Sequence, residues 1–300
     1  MIHGVINIYK EEGFTSHDVV AKLRGILRQK KIGHTGTLDP AAVGVLPVCL
    51  GKGTKLCDML TDKRKTYRAV MLLGVETDTQ DTTGTILAEK PTEALSEAEV
   101  RAAAESFLGP YLQVPPMYSA LKVNGQKLCD LARQGKEVER QARPVEIYEL
   151  TIESMELPRV TMTVTCSKGT YIRTLCHDIG GKLGCGGCME KLIRTRVDRF
   201  MMEDSLTLSE VEALVREGKV LEAVVPVDQM FSKYPEFHSP GGELDKLLSN
   251  GNTFPKQLAE EITGTDWLRV YDSTGRFIGI YEYHPDSELW KPKKIFLGGD

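Results

Sequence analysis

Runs in which apolar and polar residues alternate every second position are interleaved with runs in which apolar residues recur every third or fourth. Strands and helices are therefore both expected. Residues 4–9, GVINIY, read as a short strand. Residues 17–29 read as a helix because Val19, Val20, Leu23 and Leu27 share a face, with Ser16 as the expected N-cap. Residues 56–60 read as the end of a short helix, 63–73 as a strand, and 74–84, GVETDTQDTTG, as a turn-rich acidic loop. Ser96 and Glu99 stand at capping-box spacing before a helix expected to reach Phe107. Residues 144–155 and 160–166 alternate like strands, with Val160, Met162 and Val164 on one side. A helix is expected through Leu183 and another over 208–216, where Leu208, Val211 and Leu214 share a side. The prolines and glycines of 225–242 suggest a linker, and 267–283, WLRVYDSTGRFIGIYEY, an alternating hairpin turning at Gly275.

One stretch breaks this alternation. Residues 33–55, GHTGTLDPAAVGVLPVCLGKGTK, hold a single acid, Asp39, in a run almost free of other charge. Its glycines permit tight backbone and Pro40 biases Asp39 away from helix, so the acid belongs on a shaped loop followed by the apolar run 43–50. Such a carboxylate is either a turn or capping residue, since Asp-Pro initiates turns, or a reacting group.

Three hundred residues suffice for one large domain and a small one. Seven scattered cysteines, with no basic and apolar leader over residues 1–10, read as a cytosolic chain with reduced thiols. The longest apolar run, 41–51, is too short to span a bilayer and contains Pro47. A net charge of −4 argues against a polyanionic partner, but the charge is unevenly distributed. Residues 1–75 carry twelve lysines and arginines against six acids, 116–144 six against three, and 159–199 eight against three. The acids collect in 76–115 and 201–300. Either these are solvated surfaces of mixed sign, or the basic blocks form one positive face.

The pattern GHTGTLDPxAxGVLPVxxGxxTK resembles the catalytic-aspartate motif of the bacterial tRNA pseudouridine-55 synthases, and the likeness recurs along nearly the whole chain. Residues 113–125, QVPPMYSALKVNG, resemble a second block of that family, 166–175, CSKGTYIRTL, a third, and 188–200 continue it. Residues 10–16, KEEGFTS, depart from the family's usual Lys-Pro-x-Gly-x-Thr-Ser in having Glu11 for proline, and Asp198 stands where glycine is common. The resemblance implies an α+β fold with a central mixed, mostly antiparallel sheet flanked by helices, and a small C-terminal PUA-like β-barrel. It divides the chain into a catalytic domain over 1–232, with a basic RNA-gripping insertion at about 115–143 that orders on binding, and an RNA-binding domain over 233–300. Residues 127–134, KLCDLARQ, are the helical middle of that insertion.

The implied activity is isomerisation of uridine 55 in the T-arm of tRNA, without cofactor or metal, by a monomer with no obligate protein partner. Asp39 is then the nucleophile or base at the sugar, and Arg173 its cationic partner, which would keep the carboxylate ionised. Tyr67 and Tyr171 wall the flipped base, with Tyr67 also placed for loss of the C5 proton. Asp81 and His34 lie near the flipped nucleotide and Leu192 against the base. Each has a plainer reading: Tyr67 a half-buried strand residue, Arg173 a phosphate contact, Leu192 simple core, His34 a loop histidine. Two other functions compete. Cys185 and Cys188, with Cys166, Cys176 and His177, invite a zinc site, although a second C-x-x-C or H-x-x-x-H is missing and the H-x-E signature of zinc deaminases is absent. A non-catalytic module that holds structured RNA is the other, but binding alone would not require an acid in an apolar glycine loop.

Overall fold

The computed structural model describes residues 1–298; Gly299 and Asp300, the end of the expected C-terminal domain, lie outside the described residues. A ten-stranded sheet forms the larger part. Its main path runs Val224–Val225, Gly4–Lys10, Val43–Leu50, Gly187–Val197, Lys65–Leu73, Arg159–Cys166, Arg143–Glu156 and Gly109–Gln113. Every neighbouring pair is antiparallel except Val43–Leu50 with Gly187–Val197, so the sheet is mixed and mostly antiparallel. The one parallel junction places Arg194 opposite Gly44. There the backbone has φ of 105°, and a Cβ would lie 2.3 Å from the Arg194 carbonyl, so only glycine fits.

The alternation read from 160–166 is literal: Val160, Met162 and Val164 are fully buried. They pack with Tyr67, Ala69 and Met71 of the neighbouring strand against Leu175 and Ile179 of the helix Ile172–Leu183. A second core beneath Gly4–Lys10 takes Val19 and Leu23 from the helix Ser16–Ile26 and Val211 from Leu208–Arg216. Each such side chain contributes about 1.5–3 kcal/mol through burial. The N-cap of the first helix is Thr15, not Ser16: Thr15 and Asp18 form a capping box, while the Ser16 hydroxyl turns inward to accept from the Leu38 N–H at 2.9 Å. The Ser96 and Glu99 box caps Glu97–Glu105 as expected.

Beyond it, a five-stranded sheet runs Glu236–His238, Trp267–Tyr271, Phe277–His284, Leu289–Ile295 and Phe254–Pro255, and this curled sheet is the PUA-like part of the fold. The hairpin turns at Gly275, φ 80°. The stretch 225–242, expected to be a linker, is instead built into both sheets. Val224–Val225 and Glu236–His238 are strands, and Val227 and Phe231 are buried with Val5, Val45, Ile280 and Phe296. Its prolines and glycines shape turns between buried anchors. Lys55 adds a polar tie between the sheets, donating to the Ile295 carbonyl at 2.8 Å. The loop 74–84 likewise begins as a strand, Val75–Thr77, paired with Ile86–Glu89. Asp198 has φ of 52° in the tight turn between Gly187–Val197 and Phe200–Met201, a conformation that suits glycine and that aspartate tolerates.

Candidate active site

Asp39 leads a β-turn whose closing bond runs from the Ala42 N–H to the Asp39 carbonyl at 3.0 Å, with Pro40 at the second position. The turn residue and the candidate reacting group are thus one residue. Leu38 and Ala42 on either side are buried in the core, and the Gly13 N–H donates to the Pro40 carbonyl at 3.0 Å. This pins the backbone while leaving 42 % of the Asp39 side chain accessible.

Arg173, second residue of Ile172–Leu183, reaches this carboxylate with Nε 3.1 Å from Oδ2. Its remaining donors are also engaged. Nη1 donates to the Thr79 carbonyl at 2.9 Å and lies 3.4 Å from Asp81 Oδ2, and Nη2 donates to the Tyr118 carbonyl at 2.9 Å. One guanidinium, 6 % exposed, therefore joins the Asp39 turn, the 79–81 loop and the insertion. Asp81 is itself fixed, its Oδ1 accepting from the Thr83 N–H at 3.0 Å and the Thr79 hydroxyl at 2.8 Å. The electrostatic balance at Asp39 differs from the expectation that pairing lowers its pKa. Burial raises it and the Asp81 charge adds to that, outweighing the downward pull of Arg173 and Lys10.

Tyr67 is 7 % exposed, more deeply buried than a half-wet strand tyrosine, and burial raises its phenol pKa while Arg194 opposes. Tyr171 caps Ile172–Leu183 from outside; its backbone N–H donates to Gln113 Oε1 at 2.8 Å and its carbonyl accepts from Gln113 Nε2 at 3.1 Å. Both phenols feel the Asp39 charge. Leu192 lies opposite Ala69 in the core that also holds Tyr67 and Leu38. His34 packs edge-on against His17 with ring centroids 5.2 Å apart. Its Nδ1 accepts from the Gly36 N–H at 3.3 Å, and burial, with His17 and Arg194, lowers its pKa. Arg173 contacts both Asp39 and Asp81, while His34 ends the strand Ile32–His34 that leads into the Asp39 loop.

Three buried cations near this loop were not singled out by sequence reasoning. Lys10 is fully buried and donates to the carbonyls of Glu11 and Pro40, both at 3.1 Å, and of Ala42 at 2.5 Å. It clamps the turn that carries Asp39 from the end of a strand whose Lys10 pairs with Gly44. Arg194, 1 % exposed, donates from Nε to the Val45 carbonyl at 2.6 Å and from Nη2 to the Gly36 carbonyl at 3.2 Å, tying the two ends of the loop together. Lys65 donates to the carbonyls of Thr61 and Lys63, each at 2.8 Å. A charged residue at an inward position of an alternating strand was the available signal for Lys10 and Arg194. Among the described residues no group of three or more His, Cys, Asp or Glu is placed to hold a metal ion, so Cys166, Cys176, His177, Cys185 and Cys188 do not converge.

A mixed sheet followed by a PUA-like sheet, with a loop aspartate met by a buried arginine, is the arrangement that the family comparisons place among the pseudouridine synthases, which are isomerases. Residues 24–172 match the model of the TruB family pseudouridylate synthase N-terminal domain, and 173–232 that of the tRNA pseudouridylate synthase B C-terminal domain. A tRNA pseudouridine synthase B of Lachnoclostridium phytofermentans is 50 % identical, covering 99 % of this chain and 100 % of its own. The protein of that name from Bacillus velezensis is 42 % identical over 99 % and 98 %. Among solved structures, a Cbf5-Nop10-Gar1 complex superposes with a TM-score of 0.70 at 25 % identity, covering 98 % of this chain and 85 % of that one. An H/ACA RNP bound to a substrate RNA containing 2′-deoxyuridine gives 0.70 at 24 % identity over 99 % and 86 %. This chain belongs to the TruB family of pseudouridylate synthases.

Proposed function

We propose that this enzyme converts uridine to pseudouridine at position 55 in the T-arm of tRNA, in the cytoplasm, as a monomer needing no cofactor and no obligate protein partner. Residues 1–232 carry the chemistry and 233–300 help to hold the RNA. The observation that carries the reading is the contact of Asp39 with Arg173 at 3.1 Å, made by a guanidinium that is itself buried. The curated relatives are tRNA-modifying enzymes by name. No helix among the described residues is long and apolar enough to cross a membrane.

The target uridine leaves its stack, at a cost of a few kcal/mol, and rests against Tyr67, Tyr171 and Leu192, with His34 stacking on or replacing the extruded nucleotide. Asp39 acts at the sugar, attacking C1′ or removing the 2′ proton, and the N1–C1′ bond breaks with its electrons going to the base. The freed base turns and C5 bonds to C1′, displacing the Asp39 carboxylate from C1′ on the first route or with return of the abstracted proton to C2′ on the second, and the C5 proton is lost while N1 gains one. The net change is an isomerisation. Burial raises the Tyr67 phenol pKa, and Tyr67 serves the loss of the C5 proton directly or by positioning water. Arg173 aims Asp39, Asp81 holds Arg173, and the Tyr118 carbonyl connects that arginine to the basic insertion over 115–143.

The test is tritium release from tRNA transcribed with C5-tritiated uridine, using wild type and Asp39→Asn, with RNA binding measured in parallel. Release by wild type alone, with binding kept by both, supports the assignment. A folded, RNA-binding wild type that releases no tritium leaves only an RNA-binding module.

A further inference from the structure

The loop that carries Asp81 is held in a backbone conformation its sequence does not favour. Gln80 has φ of 63°, in the left-handed region that residues with a Cβ seldom occupy. Such a conformation persists only where the surroundings impose it. Here the Met189 N–H donates to the Gln80 carbonyl, and the Thr82 N–H to the Met189 carbonyl, both at 3.0 Å. The side chain is fixed as well: Thr174 Oγ1 donates to Gln80 Oε1 at 2.6 Å. A helical threonine hydroxyl has the option of donating back to its own helix. That of Thr174, 2 % exposed, reaches across to the loop instead.

Thr174 follows Arg173 directly in Ile172–Leu183, so successive side chains of one helix grip successive residues of one loop. Arg173 Nη1 takes the Thr79 carbonyl and approaches the Asp81 carboxylate, and Thr174 takes the side chain of the residue between them. Releasing Gln80 would let both acceptors of Nη1 drift together, and the guanidinium edge facing Asp39 would turn with them. A glycine at position 80 would relieve the backbone, but it could not supply the amide oxygen. We propose that Gln80 and Thr174 form a positioning clamp that sets the 79–81 loop and thereby aims Arg173 at Asp39. The inference rests on the roles proposed above for Asp39 and Arg173.

Steady-state tritium release and tRNA binding in Thr174→Val, Thr174→Ser and Gln80→Gly, with Asp39→Asn as control, test the clamp. Thr174→Val is expected to lower kcat about 10- to 100-fold, the scale of a misplaced catalytic group, with KM and RNA affinity within about twofold of wild type. Thr174→Ser, which keeps the hydroxyl, is expected to restore most of kcat. Gln80→Gly, which relieves the backbone but leaves the buried Thr174 hydroxyl without its acceptor, should melt within a few degrees of wild type yet lose kcat as Thr174→Val does, and combining the two should add little further loss. Wild-type kcat in both Thr174→Val and Gln80→Gly, with Asp39→Asn inactive, overturns the clamp and leaves the nucleophile assignment standing. An active Asp39→Asn overturns that assignment and the clamp with it.

Discussion

Replacing Asp39 by asparagine should separate what the carboxylate costs the fold from what it does for the reaction. Burial and the neighbouring Asp81 together outweigh Arg173 and Lys10, so the folded state holds the Asp39 proton more tightly than the unfolded chain, whose carboxyl titrates near 3.8. Between that value and the higher folded one, the native state binds more protons, and stability falls as pH rises. Above the folded value the cost is fully present, and below 3.8 it is absent. Asparagine carries no charge at any pH and removes it, while Arg173 keeps its bonds to Thr79 and Tyr118, both 2.9 Å. Since 42 % of the Asp39 side chain is accessible, water screens much of the effect. The expected gain is therefore small, about 0.5–1 kcal/mol at pH 7. For a chain of this size that is a rise of about 1–3 °C in Tm, with tritium release abolished. Melting of both proteins at pH 7 and toward the acid limit of folding, with release assays at pH 7, checks it. An asparagine variant that melts several degrees below wild type at pH 7 would show that the Arg173 contact outweighs burial, and would refute the reasoning.

Lys10 gives a pH signature of the opposite sign. Burial pulls its pKa from 10.5 down to about 8, so the folded state binds fewer protons than the unfolded chain between those values. Its unfavourable contribution is full below pH 8 and relieved as pH rises. Urea midpoints at pH 7.5 and 10 should therefore show a gain in wild type that is smaller in Lys10→Met, and equal gains would contradict the assignment. Gly44→Ala places a methyl 2.3 Å from the Arg194 carbonyl at φ 105°, and should cost roughly 3 kcal/mol or more in urea unfolding. An unchanged midpoint would mean that the parallel strands are less close. Dialysis against a chelator is expected to leave tritium release unchanged; loss that added zinc restores would bring back the cysteine site.

How much was legible from the residues depends on the range of the forces involved. Alternation at 160–166 specifies a strand because its period is a local property, and the buried Val160, Met162 and Val164 follow from it. The Ser96 and Glu99 capping box is equally local and holds. The first helix was misplaced by one residue at its cap, because Ser16 and Thr15 are both good caps and only the hydrogen bond from the Leu38 N–H to the Ser16 hydroxyl chooses between them. The supposed linker at 225–242 failed for a related reason: proline and glycine mark turns, but whether turns join anchored or free segments is decided by what Val227 and Phe231 meet.

At the site the same division holds. Asp39 stands out in the sequence because a lone acid in an apolar glycine run is unusual, and family resemblance pointed to Arg173. Sequence alone determined the strongly periodic elements, the loop character of the residues around Asp39 and the uneven distribution of charge, since each depends on residues near one another in the chain. Only the tertiary structure decided that Arg173 is shared among Asp39, Asp81, Thr79 and Tyr118, that Lys10 and Arg194 brace the aspartate loop, and that Gln80 is locked by Thr174. These are contacts between residues 30 to 158 positions apart, and their energies depend on burial and distance that no local pattern encodes. The raised pKa of Asp39 belongs with them: its sign reflects a competition between desolvation and a nearby cation, and both terms exist only once the chain has folded.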